Sequence, residues 1–247
     1  MDLSGKVVVV TGAESGIGRA IAEAVAAAGG AVVLAGIAAD RLAEAAGGLS
    51  ADGRSVLAVP TDVRDPAAVA HLFEAACVRF GRIDAAVANA GIIGARKAVT
   101  DLTPADLAEV LAVNLTGTFL TLAEGARRLI AQGGGGSLMA TGSSTALKPV
   151  PGLAPYAASK GGVHALMHAL AVELAPWRIR VNTLVPGTTA TDATRAMPGY
   201  LDEVARALPL GAVTEPEELA RYAVFALSDA APRMTGSLLK IDAGRTL

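Results

Sequence analysis

The strongest constraint on the fold is a regular alternation of short apolar segments with longer amphipathic ones. The segment KVVVVT at residues 6–11 is a continuous apolar run rich in valine, which indicates a strand buried on both faces. The glycine-rich turn TGAESGIG at 11–18 follows directly. Residues 17–28 then repeat apolar positions at helical spacing until two glycines end the pattern. A buried strand that leads through a tight turn into a helix predicts parallel strands joined by helices.

The same alternation continues to the carboxyl end, and no linker or low-complexity segment interrupts it. We predict strands at residues 6–11, 31–35, 55–60, 83–88, 137–141, 179–185 and 237–241. We predict helices at residues 17–28, 40–49, 66–80, 103–131, 155–174 and 216–228. The pattern therefore indicates one doubly wound α/β domain of Rossmann type over residues 1–247, with a parallel sheet of about seven strands and helices on both faces.

Composition and charge argue against several classes of protein. With 21 lysines and arginines against 23 aspartates and glutamates, the net charge is −2 at pH 7, which indicates neither a nucleic-acid nor an anionic membrane surface. No apolar run approaches the ~18 residues of a membrane span, and the first residues resemble neither a signal nor a transit peptide. A single cysteine, Cys77, excludes an internal disulfide and fits a reducing cytoplasm.

Glycine and polar residues follow several of the predicted strands, where ligands bind in sheets of this kind. The turn at 11–18 allows a pyrophosphate to approach backbone N–H groups at the positive end of the first helix. Asp62 follows the third strand, and Asn89 with Gly91 follows the fourth. Each of these residues alone is typical of an ordinary turn. Together they outline one crevice.

Tyr156 and Lys160 are four residues apart in the helix predicted at 155–174. Residues at this spacing share a helix face, so the ammonium can approach the phenol. A free phenol has a pKa of ~10, and a nearby cation favours its ionised form. Tyr156 is then a candidate proton acceptor for alcohol oxidation and a proton donor to a carbonyl. The alternative is a surface pair on an amphipathic helix.

Seven motifs in the right order make this chain resemble a classical short-chain dehydrogenase/reductase. They are TGAESGIG at 11–18, DV at 62–63, NAG at 89–91, VNLTGTFL at 113–120, GSS at 142–144, YAASK at 156–160 and VPG at 185–187. The resemblance covers residues 6–244 and implies an NAD(P)-dependent oxidoreductase that moves hydride between a nicotinamide and a secondary alcohol or ketone. It also implies a homotetramer, while the single cysteine indicates a cytoplasmic location.

The resemblance implies a catalytic set and a set of cofactor contacts. The catalytic set is Asn114, Ser143, Tyr156 and Lys160. The cofactor contacts are Gly12, Ser15, Gly16, Ile17, Gly18, Gly36, Asp62, Val63, Asn89, Ala90, Gly91, Tyr156, Lys160, Pro186, Gly187, Thr189 and Thr191.

Two members of the catalytic set have open alternatives. Ser143 lies thirteen positions before Tyr156, the spacing that the resemblance implies, and its hydroxyl can stabilise charge on the substrate oxygen. Ser144 competes with it, because a shift of one residue at a strand end redirects the side chain. Asn114 is a poor residue for a helix interior. The resemblance implies that Asn114 holds a water molecule in a proton relay that runs through Lys160. The alternative is that Asn114 is a buried amide whose hydrogen bonds are made to backbone groups, and the two roles are compatible.

Two further features of the sequence are weaker indications of function. His164 and His168 are four residues apart on one helix, but no third ligand is near in sequence, so we predict no metal site. Residues 188–208 lie where related enzymes carry a substrate lid, and their apolar side chains either line a pocket or only pack the lid down.

The chain departs from the family pattern most clearly after the second strand, where AGIAAD occupies residues 35–40. NAD-dependent members usually place an acid near Gly36, and NADP-dependent members a basic residue near Ile37 or Ser15. Neither is present. Because an unpaired phosphate costs more than a missing hydroxyl contact, we predict a modest preference for NAD over NADP. Smaller departures are Ala88, Ala212 and Ala243.

A non-catalytic nucleotide sensor or scaffold on the same fold is the rival interpretation, because a fold alone does not establish activity. The intact catalytic set argues against it. The three residues between Tyr156 and Lys160 favour carbonyl chemistry, since the enoyl-reductase branch of the family spaces this pair more widely. The expected partner is a small alcohol or carbonyl substrate, with neither nucleic acid nor membrane involved.

Overall fold

The sheet contains seven strands, and all six pairings between neighbours are parallel. This computed structural model describes residues 1–247. The strands are β1 Val7–Thr11, β2 Ala31–Gly36, β3 Val56–Pro60, β4 Ala85–Ala88, β5 Gly136–Thr141, β6 Ile179–Pro186 and β7 Leu238–Ile241. Their order in the sheet is β3-β2-β1-β4-β5-β6-β7. Strands β2 and β3 lie on one side of β1, and β4 to β7 lie on the other. The order of the strands thus changes direction between β1 and β4, and the carboxyl ends of these two strands border the crevice in which such sheets bind ligands.

Helices cover both faces of the sheet, as the alternation predicts. They are α1 Gly16–Ala27, α2 Ala39–Ala51, α3 Pro66–Phe80, α4 Pro104–Leu111, α5 Thr118–Gln132, α6 Ala154–Leu174, α7 Asp192–Arg195, α8 Tyr200–Ala207 and α9 Pro216–Leu227. Side chains of α1, α2 and α9 fill one hydrophobic cluster, and those of α3, α5 and α6 fill another. The doubly wound fold is therefore confirmed.

The burial of β1 on both faces explains why its sequence is a continuous apolar run. Val8 and Val10 belong to the core on one face of the sheet, whereas Val7 and Val9 belong to the core on the other. Successive side chains of a strand point to opposite faces, so a strand with two covered faces needs apolar residues at every position.

The long helix predicted at 103–131 is present but irregular. Thr103 caps α4 through a capping box with Asp106, and the chain then passes through a π-helical turn, Ala112–Gly117, before α5 begins. The whole segment Pro104–Gln132 spans 29 residues, and its most apolar stretch has a mean hydropathy of 1.3. By length and composition alone this segment could cross a membrane. No run of that kind was predicted from the sequence. Many of its apolar residues, such as Leu122 and Leu129, pack into the core.

The segment predicted as a lid contains two short helices, α7 and α8, that the sequence did not indicate. An isolated parallel bridge between Thr189 and Thr214 joins the start of this segment to the loop before α9. Arg195 of α7 forms an ion pair with Glu215, the N-cap residue of α9. The bridge and the ion pair thus attach the amino-terminal part of this segment to the rest of the fold.

Candidate active site

A cavity of about 580 Å³ opens at the carboxyl ends of β1, β2 and β4. Thirteen of the residues predicted to contact a cofactor line it: Gly12, Ser15, Gly16, Ile17, Gly36, Asp62, Val63, Asn89, Ala90, Gly91, Tyr156, Lys160 and Thr191. Sequence reasoning missed a further group of lining residues: Glu14, Ile37, Arg41, Thr61, Arg64, Ile92, Ile93, Glu109, Val113, Thr141, Asp192 and Ala193.

The glycine-rich turn adopts conformations that other residues seldom take. Gly12 and Gly16 have φ angles of 64° and 52°, in the left-handed region that glycine enters without steric cost. Ser15 is the N-cap of α1, and its side chain makes no capping hydrogen bond. Backbone N–H groups in the first turn of α1 therefore remain available to an anion at the mouth of the cavity.

Four residues predicted to contact a cofactor do not line the cavity. A Cβ on Gly18 would overlap the Gly12 carbonyl oxygen, so this glycine allows α1 to pack against the turn. Gly187 has the same role beside Asp242, whose Cα would lie 2.7 Å from an added Cβ. Pro186 is the last residue of β6, and Thr189 is buried in its bridge to Thr214. A cofactor contact of these four residues stays a prediction.

Asn89 holds the glycine-rich turn against β4. Its side-chain amide donates to the carbonyl oxygens of Thr11 and Gly12, at 3.1 and 3.3 Å, and its Oδ1 accepts from Thr141 Oγ1 at 2.9 Å. The N–H groups of Asn89 and Ala90 donate in turn to Thr11 Oγ1. One asparagine thus joins the ends of three neighbouring strands, β1, β4 and β5, which explains how the motif NAG supports the site.

Lys160 is buried, with only 3% of its surface exposed. Its ammonium donates to the carbonyl oxygen of Thr141 at 2.7 Å and lies 5.9 Å from the centre of the Tyr156 ring. Burial lowers the pKa of Lys160 to about 8, because an ammonium loses hydration there. The ammonium still carries its charge at pH 7. It lies close to Tyr156, as the helix spacing predicts.

The pKa of Tyr156 differs from the expectation that a nearby cation would lower it. Burial of the phenol raises the pKa, and the adjacent Ser143 hydroxyl offsets only part of this effect. Desolvation is therefore the main influence on this pKa in the protein alone. The positive charge of a bound oxidised nicotinamide would favour the ionised form of Tyr156.

The structure distinguishes the two candidate serines. Ser143 lies beside the Tyr156 phenol, and its Oγ accepts from the Thr145 N–H at 3.0 Å. Ser144 Oγ instead accepts from the Arg245 guanidinium at 3.2 Å. The two hydroxyls thus have different partners, and only that of Ser143 is near the phenol.

Asn114 lies in the π-helical turn and is fully buried. Its Oδ1 accepts from the Ile92 N–H at 2.8 Å, while Nδ2 donates to the Ile92 carbonyl oxygen at 2.8 Å and to Ser159 Oγ at 3.0 Å. This is the buried amide satisfied by neighbours that the sequence suggested. The backbone carbonyl of Asn114 accepts from Thr118 Oγ1 at 2.7 Å and retains a second lone pair.

Gly91 explains how Asn114 and Lys160 come together. A Cβ added to Gly91 would lie 3.2 Å from Asn114 Oδ1 and 3.4 Å from Lys160 Nζ. Both polar groups therefore approach the backbone directly after β4. Only a residue without a side chain leaves this close approach free of strain.

The two histidines considered as metal ligands have different surroundings. His164 is buried, and its Nε2 accepts from the Ser143 N–H at 3.4 Å, whereas His168 is exposed. Burial lowers the pKa of His164 first, and the neighbouring Lys160 and His168 charges lower it further. His164 therefore supports the Ser143 backbone as a neutral ring. No group of three or more histidine, cysteine or acidic side chains comes together in the structure.

Comparison with known proteins decides the family. The sequence matches the family model described as Enoyl-(Acyl carrier protein) reductase over residues 12–246. It is 36% identical to L-rhamnose 1-dehydrogenase (NAD(P)(+)) of a Sphingomonas strain, over 98% of this chain and 96% of the relative. A short-chain type dehydrogenase/reductase from Mycobacterium marinum superimposes with a TM-score of 0.94 at 36% identity, covering 99% of this chain and 97% of the other.

The chain belongs to the short-chain dehydrogenase/reductase family. Another relative, D-threitol dehydrogenase of Mycolicibacterium smegmatis, is 36% identical over 99% of this chain and 94% of its own length. The protein is accordingly an NAD(P)-dependent oxidoreductase that acts on CH–OH or C=O groups. No finding supports the non-catalytic alternative.

The residues that line the cavity fit a nicotinamide dinucleotide. The left-handed glycines and the open first turn of α1 would hold the pyrophosphate. Asp62 and Val63 follow β3 at one end of the cavity, and Tyr156 with Lys160 lines the other. A bound nicotinamide would supply the hydride acceptor or donor.

Proposed function

We propose that the protein interconverts a secondary alcohol and its ketone, with Tyr156 as general acid and base. The observation that supports this proposal is the arrangement of three side chains: the Tyr156 phenol has the Ser143 hydroxyl on one side and the Lys160 ammonium 5.9 Å from its ring. Each group has a partner that fixes its position, Thr145 for Ser143 and Thr141 for Lys160. Preorganised groups of this kind act on developing charge without reorganisation.

In alcohol oxidation Tyr156 accepts the hydroxyl proton of the substrate, and in ketone reduction it returns that proton to the carbonyl oxygen. The Ser143 hydroxyl donates a hydrogen bond to the same oxygen. Lys160, still an ammonium near neutral pH, stabilises the ionised phenol electrostatically. The side-chain amide of Asn114 is already used by Ile92 and Ser159, so the group left to hold a relay water is its backbone carbonyl.

For the substrate, we propose a small molecule with several hydroxyl groups. Two relatives that match this chain over nearly their whole length are named for L-rhamnose and D-threitol. The spacing of Tyr156 and Lys160 in YAASK supports carbonyl rather than enoyl chemistry, whatever the description of the family model. The segment at 188–208 acts as the substrate lid in this proposal, since Thr191, Asp192 and Ala193 line the cavity.

We also propose that NAD is the preferred cofactor, that the protein forms a homotetramer, and that it acts in the cytoplasm. Two arginines line the cavity, and both are paired with carboxylates: Arg41 with Asp192 at 3.5 Å and Arg64 with Asp62 at 2.6 Å. A phosphate would have to compete with a carboxylate for either arginine, which supports NAD.

The substrate proposal is tested by a screen of sugars, polyols and their ketones that follows the absorbance of the reduced cofactor. Turnover of at least one polyhydroxylated substrate is expected. Turnover confined to simple hydrophobic alcohols would contradict the substrate class, and no turnover with any alcohol or ketone would contradict the activity.

The role of Tyr156 is tested by Tyr156→Phe, which keeps the ring and removes the proton carrier. We expect turnover to fall ~100-fold or more, the usual scale of general acid–base catalysis, while cofactor binding persists. Tyr222→Phe, at an exposed tyrosine on α9, is the control and should retain activity. Turnover near the wild-type level in Tyr156→Phe would show that another group carries the proton.

A further inference from the structure

Strand β2 ends beside a carboxylate that comes from a different part of the chain. Glu14 lies in the glycine-rich turn after β1, and the turn is attached to β2 by the hydrogen bond from the Ala13 N–H to the Ala35 carbonyl oxygen at 3.1 Å. Glu14 Oε1 accepts from the Ile37 N–H at 3.2 Å. A Cβ added to Gly36 would overlap the Glu14 carboxylate. The carboxyl group therefore rests directly on Gly36.

The Glu14 carboxylate is incompletely satisfied within the chain. Its Oε2 atom is covered by protein and has no hydrogen-bond donor. A covered carboxylate oxygen without a donor is costly, and Glu14 also lines the cavity that holds the cofactor. A donor that enters this end of the cavity would complete the hydrogen bonds of the carboxylate after a small rotation of its side chain.

We propose that Glu14 determines cofactor specificity by accepting a hydrogen bond from the 2′-hydroxyl of the adenosine ribose. The inference rests on the proposed binding of NAD in this cavity. A carboxylate at the end of the second strand is the group that selects NAD in this fold, and Glu14 places one there although residues 35–40 contain no acid before Asp40. A 2′-phosphate would instead meet a like charge at contact distance.

The geometry also explains why Gly36 accompanies Glu14. An acidic side chain on Gly36 and the carboxylate of Glu14 would compete for one volume, because any Cβ at Gly36 overlaps that carboxylate. The two positions are thus alternatives for the same function. With Glu14 present, the preference for NAD should be stronger than the modest one that the sequence predicts.

A purely structural role is the competing explanation, since Glu14 Oε1 also binds the Ile37 N–H. Glu14→Gln separates the two roles, because glutamine keeps the size and the carbonyl acceptor but removes the charge. Glu44→Gln is the control, for Glu44 is an exposed carboxylate on α2 that pairs with Arg19 and does not line the cavity.

The experiment measures binding rather than turnover, by calorimetric titration of the purified protein with NADH, NADPH, 5′-AMP and adenosine 2′,5′-bisphosphate. Wild-type protein and Glu44→Gln should bind NADH at least about 30-fold more tightly than NADPH. Glu14→Gln should reduce this ratio about tenfold, mainly through tighter NADPH binding, and the two nucleotide fragments should show the same change. A ratio that stays within about twofold of the wild-type value would overturn the proposal.

A second variant tests the exchange of positions. Glu14→Ala should lose the preference, and Glu14→Ala combined with Gly36→Asp should recover at least about tenfold of it, since the aspartate occupies the released volume. No recovery in a folded double variant would also overturn the proposal. Failure of the wild-type protein to bind either dinucleotide would instead overturn the proposed cofactor binding, and the role of Glu14 with it.

Discussion

Lys160 shows at the scale of one residue how activity and stability oppose each other. Burial holds the pKa of its ammonium at about 8, against 10.5 in water. Between these values the unfolded chain binds more protons than the folded one, so the free energy of unfolding rises as pH rises through this window. At pH 7 the full penalty applies, about 3 kcal/mol from the size of the shift. The protein thus tolerates an unfavourable charge beside Tyr156.

We therefore predict that Lys160→Met stabilises the cofactor-free protein while it impairs turnover. The variant removes the buried charge but loses the hydrogen bond to the Thr141 carbonyl, worth about 1 kcal/mol. The expected gain is about 2 kcal/mol at pH 7 and turns into a loss of about 1 kcal/mol above pH ~10.5, where only the missing hydrogen bond counts. Urea unfolding at several pH values measures it, with Lys240→Met as the exposed control. A variant less stable than wild type at pH 7 would refute the argument.

Side-chain direction marks the limit of prediction from sequence at this scale. The helix spacing of Tyr156 and Lys160 correctly predicts their proximity, because i and i+4 residues share a face. The choice between Ser143 and Ser144 depended on how β5 ends, and only the hydroxyl partners in the structure distinguish the two. Glu14 was missed for a related reason. Family likeness points to an acid directly after β2, whereas here the carboxylate reaches that place from the turn after β1.

At the scale of elements, Gly18 is the residue on which the contact between α1 and the glycine-rich turn depends. A Cβ on Gly18 would overlap both the Gly12 carbonyl oxygen and the Asn89 amide. Asn89 joins β1, β4 and β5 through its hydrogen bonds. A small change at one helix position would therefore disturb the ends of three strands and the nucleotide end of the cavity.

We predict that Gly18→Ala destabilises the protein by about 2 kcal/mol or more, on the scale of overpacked cores, and weakens cofactor binding. Gly48→Ala is the matched control in α2, where an added Cβ meets nothing within 4 Å. It should stabilise the protein by about 0.5–1 kcal/mol, because alanine is the better helix former. Thermal unfolding measures both changes. Equal effects of the two substitutions would contradict the packing role of Gly18.

Element types were predictable where the sequence signals are clear, as in the continuous apolar run of β1 and the capped ends of α3. The bounds of α3 are those predicted, since Asp65 caps it, Pro66 begins it and Gly81 ends it in a left-handed conformation. The π-helical turn at Ala112–Gly117 was not predictable, because an extra residue per turn leaves no distinct apolar pattern. Helix α7 was missed because its four residues are too few to show a helical period. Helix α8 has a clear amphipathic pattern, but its eight residues lie in a segment that was predicted as a lid.

At the scale of the whole molecule, the order of the strands brings together motifs that are far apart in the chain. The turn at 11–18, Asn89 and Tyr156 come from segments up to 145 residues apart, yet all line one cavity because β1 and β4 are neighbours. Sequence alternation predicts the parallel sheet and the edge at which ligands bind. The strand order itself depends on long-range pairing, which a local pattern does not contain.

Helix α6 and its neighbours expose a group of apolar side chains. One face of α6 packs on the sheet through residues such as Val163 and Met167, and the opposite face exposes Val172. Leu107 of α4 and Phe119 of α5 are also exposed, on helices that contact α6. Apolar side chains grouped on neighbouring helices are typical of an interface, and an isologous contact would cover them in both copies at once.

The family resemblance implies four copies, so we expect light scattering to report a particle of four 24.6 kDa chains at micromolar concentration. Val172→Glu and Phe119→Glu should each reduce the particle size, because association would bury an unpaired carboxylate. Val78→Glu is the control: Val78 is 82% exposed, as Val172 is 78% exposed, but it lies on α3. A wild-type particle with the mass of one chain would refute the assembly. A wild-type tetramer that persists in both Val172→Glu and Phe119→Glu would place the interface on another face.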